Sequence, residues 1–145
     1  MQITLFTDYS LRTLIFLAEK PTGFKISLGQ LAEFFNMNLH HLQKVSQKLV
    51  QLGYLDSVRG KQGGISLLID PHALTIGEVV RNMEPSLEPV DCDNNGCPIT
   101  TSCQLRSLFY DAAQAFLTKL DQKTLAQVAY KGPGNVSDLL TLDVV

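Results

Sequence analysis

The chain has 145 residues, 45% of them apolar, which is enough for one domain, or a small domain with an appended arm, to bury a core without disulfide staples. No apolar run approaches the ~18 residues of a membrane span. A formal net charge of −2 rules out a uniformly basic nucleic-acid binder, yet residues 37–64 carry Lys44, Lys48, Arg59 and Lys61 against Asp56 alone, a local basic surface able to hold phosphate.

The N-terminus, MQITLFTDYSLRTLIFLAEK, is apolar but lacks a basic start, and Asp8 and Arg12 interrupt it. It reads as a folded helix and not a signal peptide, which points to a cytoplasmic protein with reduced thiols. Thr7 is the expected N-cap of a helix over residues 8–19, with Leu11, Leu14, Ile15 and Ala18 as its apolar stripe. In SLGQ, Ser27 and Gln30 form a capping box that opens a short helix. Asn36, Met37 and Asn38 make a tight break, and Asn38 caps LHHLQKVSQKLVQL, which Gly53 stops.

On that helix Leu39, Leu42, Val45, Leu49 and Leu52 point one way, and His40, Lys44, Gln47 and Gln51 the other. Two short helices joined by a tight break, the second with a polar and basic outer face, read as a helix-turn-helix, with a plain helical bundle as the alternative. The next stretch, YLDSVRGKQGGISLLI, reads as strand, turn, strand. A hairpin directly after a recognition helix is a wing, and Arg59 at its tip suits a narrow minor groove. His40, Gln43 and Lys44 are the candidates for base edges, Asn38 and Lys48 for phosphates, and Lys61 joins Arg59 on the tip.

Thr75 and Glu78 in TIGE suggest a second capping box. Pro85 and Pro89 bracket an acidic connection into DCDNNGCPITTSC, which holds all three cysteines of the chain: Cys92, Cys97 and Cys103. A long helix follows, with a stripe of Leu105, Leu108, Phe109, Ala112, Phe116 and Leu120. The stripe suits a second copy of the same helix; packing within the chain is the alternative. Thr124 and Gln127 cap a last short helix, ended by Gly132, Pro133 and Gly134. The fold class is therefore mainly α with a small β-hairpin wing. A winged helix-turn-helix over 1–84 leads into a cysteine loop over 85–103. Residues 104–145 supply a dimerisation helix and a C-terminal segment that packs back on the first domain.

The spacing Cys-x4-Cys-x5-Cys lacks the paired short knuckles of zinc sites, and His40, His41 and His72 all lie elsewhere. The wider gaps suit a loop that wraps an iron–sulfur cluster, for which cysteine ligation is the rule. Inert thiols, zinc with a water ligand and a transient disulfide stay open on the residues alone. No nucleotide loop or catalytic constellation stands out, so an enzyme is not expected.

FTDYSLRTLIFLA, the helix-turn-helix, VRGKQGGISL in the wing and the Cys-x4-Cys-x5-Cys loop together resemble the NsrR-type nitric-oxide-sensing repressors. These are a branch of the winged-helix iron–sulfur regulators that also include the IscR type. The resemblance covers nearly the whole chain. It implies a homodimer on a palindromic operator in double-stranded DNA, with nitric oxide as the signal. It also implies that a carboxylate at the start of the partner's first helix, here Asp8, is the fourth cluster ligand, with Arg12 steering it. Without the resemblance, Asp8 reads as a helix N-terminal charge or an i,i+4 partner of Arg12. The IscR type carries a histidine just after its third cysteine and one more residue in the first gap; here CQLRS follows and the gap is four. The cluster expected is [4Fe–4S], with [2Fe–2S] as the alternative.

Overall fold

The computed structural model describes residues 2–60 and 63–129. In chain order these form α1 (Leu5–Ala18), α2 (Leu28–Phe34), α3 (Leu39–Gln51), β1 (Leu55–Val58), β2 (Gly64–Leu67), α4 (Ile76–Met83), α5 (Gln104–Asp121) and α6 (Leu125–Val128). The fold is mainly helical with one two-stranded antiparallel hairpin, as the sequence predicts. Lys61 and the C-terminal segment from residue 130 on, including the expected stop at Gly132, Pro133 and Gly134, lie outside the described residues.

Helix α1 begins three residues before its expected start. Thr4, not Thr7, is the N-cap: its Oγ1 accepts from the Thr7 backbone N–H (3.4 Å). The Thr4 N–H in turn donates to Glu84 Oε1 (2.8 Å), at the far end of α4. Glu84 thus places a negative charge at the positive end of α1, a favourable arrangement that no local capping signal announces.

The buried face of α1 also differs from the expected stripe. Thr7, Tyr9, Ser10, Thr13, Leu14, Phe16 and Leu17 are buried, whereas Leu11, Ile15 and Ala18 only flank the core. Ser10 Oγ donates to Phe6 O and Thr13 Oγ1 to Tyr9 O, both at 2.7 Å. With their protons used inside the helix, these small side chains can be buried without an unsatisfied donor. Neighbouring elements then approach α1 closely, and it packs against α3, α4, α6 and β2.

The helix-turn-helix follows its local signals. Ser27 Oγ accepts from the Gln30 N–H (3.2 Å), and Gln30 Oε1 accepts from the Ser27 N–H (3.2 Å), the reciprocal box. Asn36 turns the chain with φ +51°, a left-handed value that asparagine tolerates. Asn38 Oδ1 accepts from His41 N–H (3.0 Å) and starts α3. Leu42, Val45 and Leu49 point inward, fully buried. Gly53, at φ +75°, ends the helix as expected.

In the wing Leu55 pairs with Leu67 and Val58 with Gly64. A third chain segment joins it, because Ile26 and Ile65 exchange backbone hydrogen bonds of 3.1 and 2.9 Å. This ties the wing to the residue just before the N-cap of α2. Gly64 makes that possible, since a Cβ there would lie 2.6 Å from Ile26 O. We expect Gly64→Ala to lower stability by about 1–3 kcal/mol, the range for forcing extra volume into packed structure. Urea unfolding of the variant checks this; an unchanged midpoint would mean that the wing is not braced there.

Thr75 caps α4 by accepting from Glu78 N–H (3.1 Å), but Glu78 does not reach back. Its carboxylate accepts instead from the Tyr54 hydroxyl. The stripe on α5 divides. Phe116 and Leu120 lie against the core, while Leu105 and Leu108 are 57% and 63% exposed and Ala112 is exposed; the buried positions are Ala113 and Leu117, one place on from the expected Ala112 and Phe116. The C-terminal half of α5 therefore packs within the chain. Its N-terminal half leaves an apolar face uncovered, at Leu105 and Leu108.

Candidate nucleic-acid interface and cysteine loop

The outer face of α3 stands clear of the core. His40, Gln43, Lys44 and Gln47 are exposed, and Lys48 is half-buried on the flank. Asn38 is exposed but spends its side-chain oxygen on the cap, which leaves its amide N–H2 free to donate. Gln43, Ser46, Gln47 and Gln51 of α3 form an open groove with Ser57 and Arg59 of the wing. Leu28 and Val50 also line it, so helix face and hairpin present amide, hydroxyl and guanidinium donors beside two apolar side chains. That is the chemistry that reads base edges and phosphate oxygens.

Two residues that sequence reasoning left aside hold this surface in place. The Tyr9 hydroxyl accepts from Asn38 N–H (3.1 Å), and the Tyr9 ring lies 5.2 Å from His41. Phe6 lies 5.8 Å from the same imidazole. His41 is thus packed onto α1, while its neighbour His40 remains exposed. Helix α1 therefore fixes the start of α3 through Tyr9. A tyrosine one residue after Asp8 carries no local signal of that role, because its partner lies 29 positions on.

Asp8 and Arg12 pair on the accessible side of α1. Arg12 Nε donates to Asp8 Oδ1 (3.0 Å) and Nη2 lies 2.9 Å from Oδ2. Each carboxylate oxygen still has an unused lone pair, so Asp8 can accept a further donor or ligate a metal with Arg12 in place.

The three cysteines are unbridged and half-buried. Asp91 organises the start of their loop, accepting from Asn94 N–H (3.2 Å) and from its side-chain amide (3.0 Å). Cys97 O accepts from Thr100 Oγ1 (2.6 Å), and Arg106 of α5 bonds Asp93 (2.6 Å), which folds the loop back on the helix. Cys103 is the N-cap of α5 and makes no side-chain cap. Among the described residues no three Cys, His, Asp or Glu side chains converge into a site for a metal ion. The donor set nevertheless suits an iron–sulfur group in kind: three free thiols on one irregular loop, with no histidine among them.

A profile described as "Rrf2: Iron-dependent Transcriptional regulator" matches residues 3–131. The chain belongs to the Rrf2 family. This Rrf2 regulator is similar to the oxidised form of Staphylococcus aureus CymR, with 26% identity, 92% of this chain and 99% of that one covered, and a TM-score of 0.73. It is likewise similar to CymR of B. subtilis, described as the global cysteine regulator, with 28% identity, 89% and 96% covered, and a TM-score of 0.73. T. potens IscR shares the fold at 21% identity, covering 100% and 93%, with a TM-score of 0.63. The Rrf2 chain is thus a transcriptional regulator of winged-helix architecture. Its described residues include no helix long and apolar enough to cross a membrane.

Proposed function

We propose that this Rrf2 protein is a dimeric repressor that carries an iron–sulfur cluster and releases palindromic operator DNA in response to nitric oxide. Cys92, Cys97 and Cys103 would hold the cluster, with the partner subunit's Asp8 as the fourth ligand. The observation that carries this reading is the Cys-x4-Cys-x5-Cys loop, whose three thiols are free and lead directly into α5. A carboxylate is a harder and weaker ligand for such iron than a thiolate, which suits an iron site that must open to a small gas. When bound, the cluster supplies an iron centre at which nitric oxide can react; [4Fe–4S] is the form we favour.

The chain's own residues give that chemistry a mechanical reach. Arg12 orients the Asp8 carboxylate. Tyr9, next along α1, holds the Asn38 N–H and the His41 ring at the start of the recognition helix. A tether on Asp8 therefore acts on the same helical turn that positions α3. Two heads reading successive major grooves must stand about one DNA turn apart, ~34 Å. Tying each α1 to the opposite subunit would fix that spacing, and losing both ties would release it. A swing from 1:99 to 99:1 in the binding-competent state needs about 5.5 kcal/mol, within reach of metal–ligand bonds but not of an exposed ion pair.

The likeness to CymR favours one other reading, a thiol-responsive or cysteine-linked regulator without a cluster. One experiment separates them. The protein is purified without oxygen and its visible spectrum recorded before and after nitric oxide. Its binding is then measured to a duplex that it selects from a random-sequence pool. Iron and sulfide in the protein, a spectrum altered by nitric oxide and a matching loss of DNA binding support the sensor. A colourless protein that answers only to oxidant supports the thiol switch.

Arg59→Ala should weaken operator binding by about 1–3 kcal/mol and leave the visible spectrum unchanged, since the wing tip lies on the DNA-facing groove and far along the chain from the cysteines. Equal affinities in a titration at fixed salt would remove the wing from the interface.

A further inference from the structure

Helix α4 is fastened on two neighbouring faces, one to the reading head and one to α5. Glu78 and Asn82, four residues apart, meet Tyr54. Its hydroxyl donates to Glu78 Oε1 and accepts from Asn82 Nδ2, both at 2.8 Å. Tyr54 is itself a junction of the head. Its N–H donates to Leu49 O of α3 (2.9 Å), and its carbonyl accepts from Leu68 N–H (3.0 Å), just past β2. Gly77 and Arg81, also four apart, face the end of α5. Arg81 forks onto Asp121, with Nη1 to Oδ1 at 2.7 Å, and the backbone at Gly77 is so near that a Cβ would meet that carboxylate at 2.0 Å. The Ile76 N–H adds a bond to Lys123 O (2.9 Å).

The two fastenings differ from ordinary stabilising contacts. Arg81 and Asp121 are about two-fifths exposed, and their two-point fork fixes geometry as well as adding energy. Tyr54 is 3% exposed, so a phenylalanine would fill the same space, and what the hydroxyl adds is direction. Burial first, and then its bond to Glu78, push the Tyr54 pKa up to about 12, so it stays a neutral donor at working pH. The Arg81 guanidinium holds the Asp121 carboxyl below the usual carboxylate range, so that clamp stays charged.

We propose that Tyr54 is a positioning residue through which α5, by way of Arg81, Asp121 and α4, sets the tilt of α3 and the wing on DNA. The cysteine loop enters α5 at its N-terminus, so a change there reaches the head along this route. The assignment holds whichever chemistry the cysteines perform, and it does not rest on the cluster reading.

A double-mutant cycle tests it, because a route of this kind requires measured coupling and not mere adjacency. Tyr54→Phe, Arg81→Gln and the double variant of the full chain are melted first. Binding to a pool-selected duplex is then titrated well below every melting temperature, where a residue acting only on stability leaves affinity unmoved. Tyr54→Phe should bind roughly threefold or more weakly, Arg81→Gln should also bind more weakly, and the double variant should bind no more weakly than the worse single one. Glu78→Gln, which still accepts the hydroxyl bond, should bind like wild type, and Glu78→Ala like Tyr54→Phe. Wild-type affinity in Tyr54→Phe, or single losses that multiply in the double variant, would overturn the proposal.

Discussion

Cys97→Ala protein, purified without oxygen, should be colourless, contain no sulfide and bind operator with an affinity that nitric oxide no longer changes. Its melting curve should overlay that of wild-type protein stripped of metal. Stripped protein is the proper reference, because anything bound only to the folded state raises the apparent stability. The prediction separates two roles that a buried cysteine would combine. Cys97 is only half-buried and lies outside the hydrophobic core, and its loop is shaped by backbone and polar contacts. Thr100 bonds the Cys97 carbonyl, which the substitution leaves in place. A change of this kind stays within about 0.5 kcal/mol of neutral. Loss of one thiolate from a three-cysteine set removes a ligand that the loop cannot replace with another thiol or an imidazole, since it holds no fourth cysteine and no histidine. A coloured Cys97→Ala protein that still answers to nitric oxide would end the cluster assignment at this loop.

What could be read in the sequence follows from the range of the forces involved. Caps and turns are decided within four residues, so Ser27 with Gln30, Asn38 and Gly53 all announce themselves. Helical periodicity places Leu42, Val45 and Leu49 inside and His40, Gln43 and Lys44 outside. Two of the misreadings share one cause, a partner far along the chain. Thr4 becomes the cap of α1 with Glu84 beside it, and Glu78 leaves its capping box for Tyr54. Thr7, Ser10 and Thr13 look like an outer face by residue type, yet they are fully buried, because back-bonding satisfies Ser10 and Thr13 and close packing rewards their size. The candidate DNA face was legible because it is the outward side of a strongly patterned helix. The couplings behind it, through Tyr9 and Tyr54, were not, because each joins elements 24 to 29 residues apart through one hydroxyl.

Leu108→Glu should give a monomer in sedimentation, with a melting temperature close to that of the folded wild-type chain and operator affinity reduced by about a hundredfold or more. Leu117, 3% exposed, is held by the protein's own core, whereas Leu105 and Leu108 face solvent with more than half their surface. An exposed apolar row on the helix that follows the cysteine loop suits a symmetric contact with a second copy. Within one chain a glutamate at 108, a position 63% exposed, stays largely in water, so the fold tolerates it. Between two chains it would leave an unpaired charge in an apolar contact, at a cost of several kcal/mol. Separation of the heads then removes the gain from linking two half-sites, which amounts to 10²–10⁴ in affinity. Leu117→Ala provides the contrast on the same helix. It empties a core position, should cost about 2–5 kcal/mol and should lower the melting temperature. A Leu108→Glu protein that remains dimeric would place the subunit contact elsewhere, and with it the reason for an uncovered row on α5.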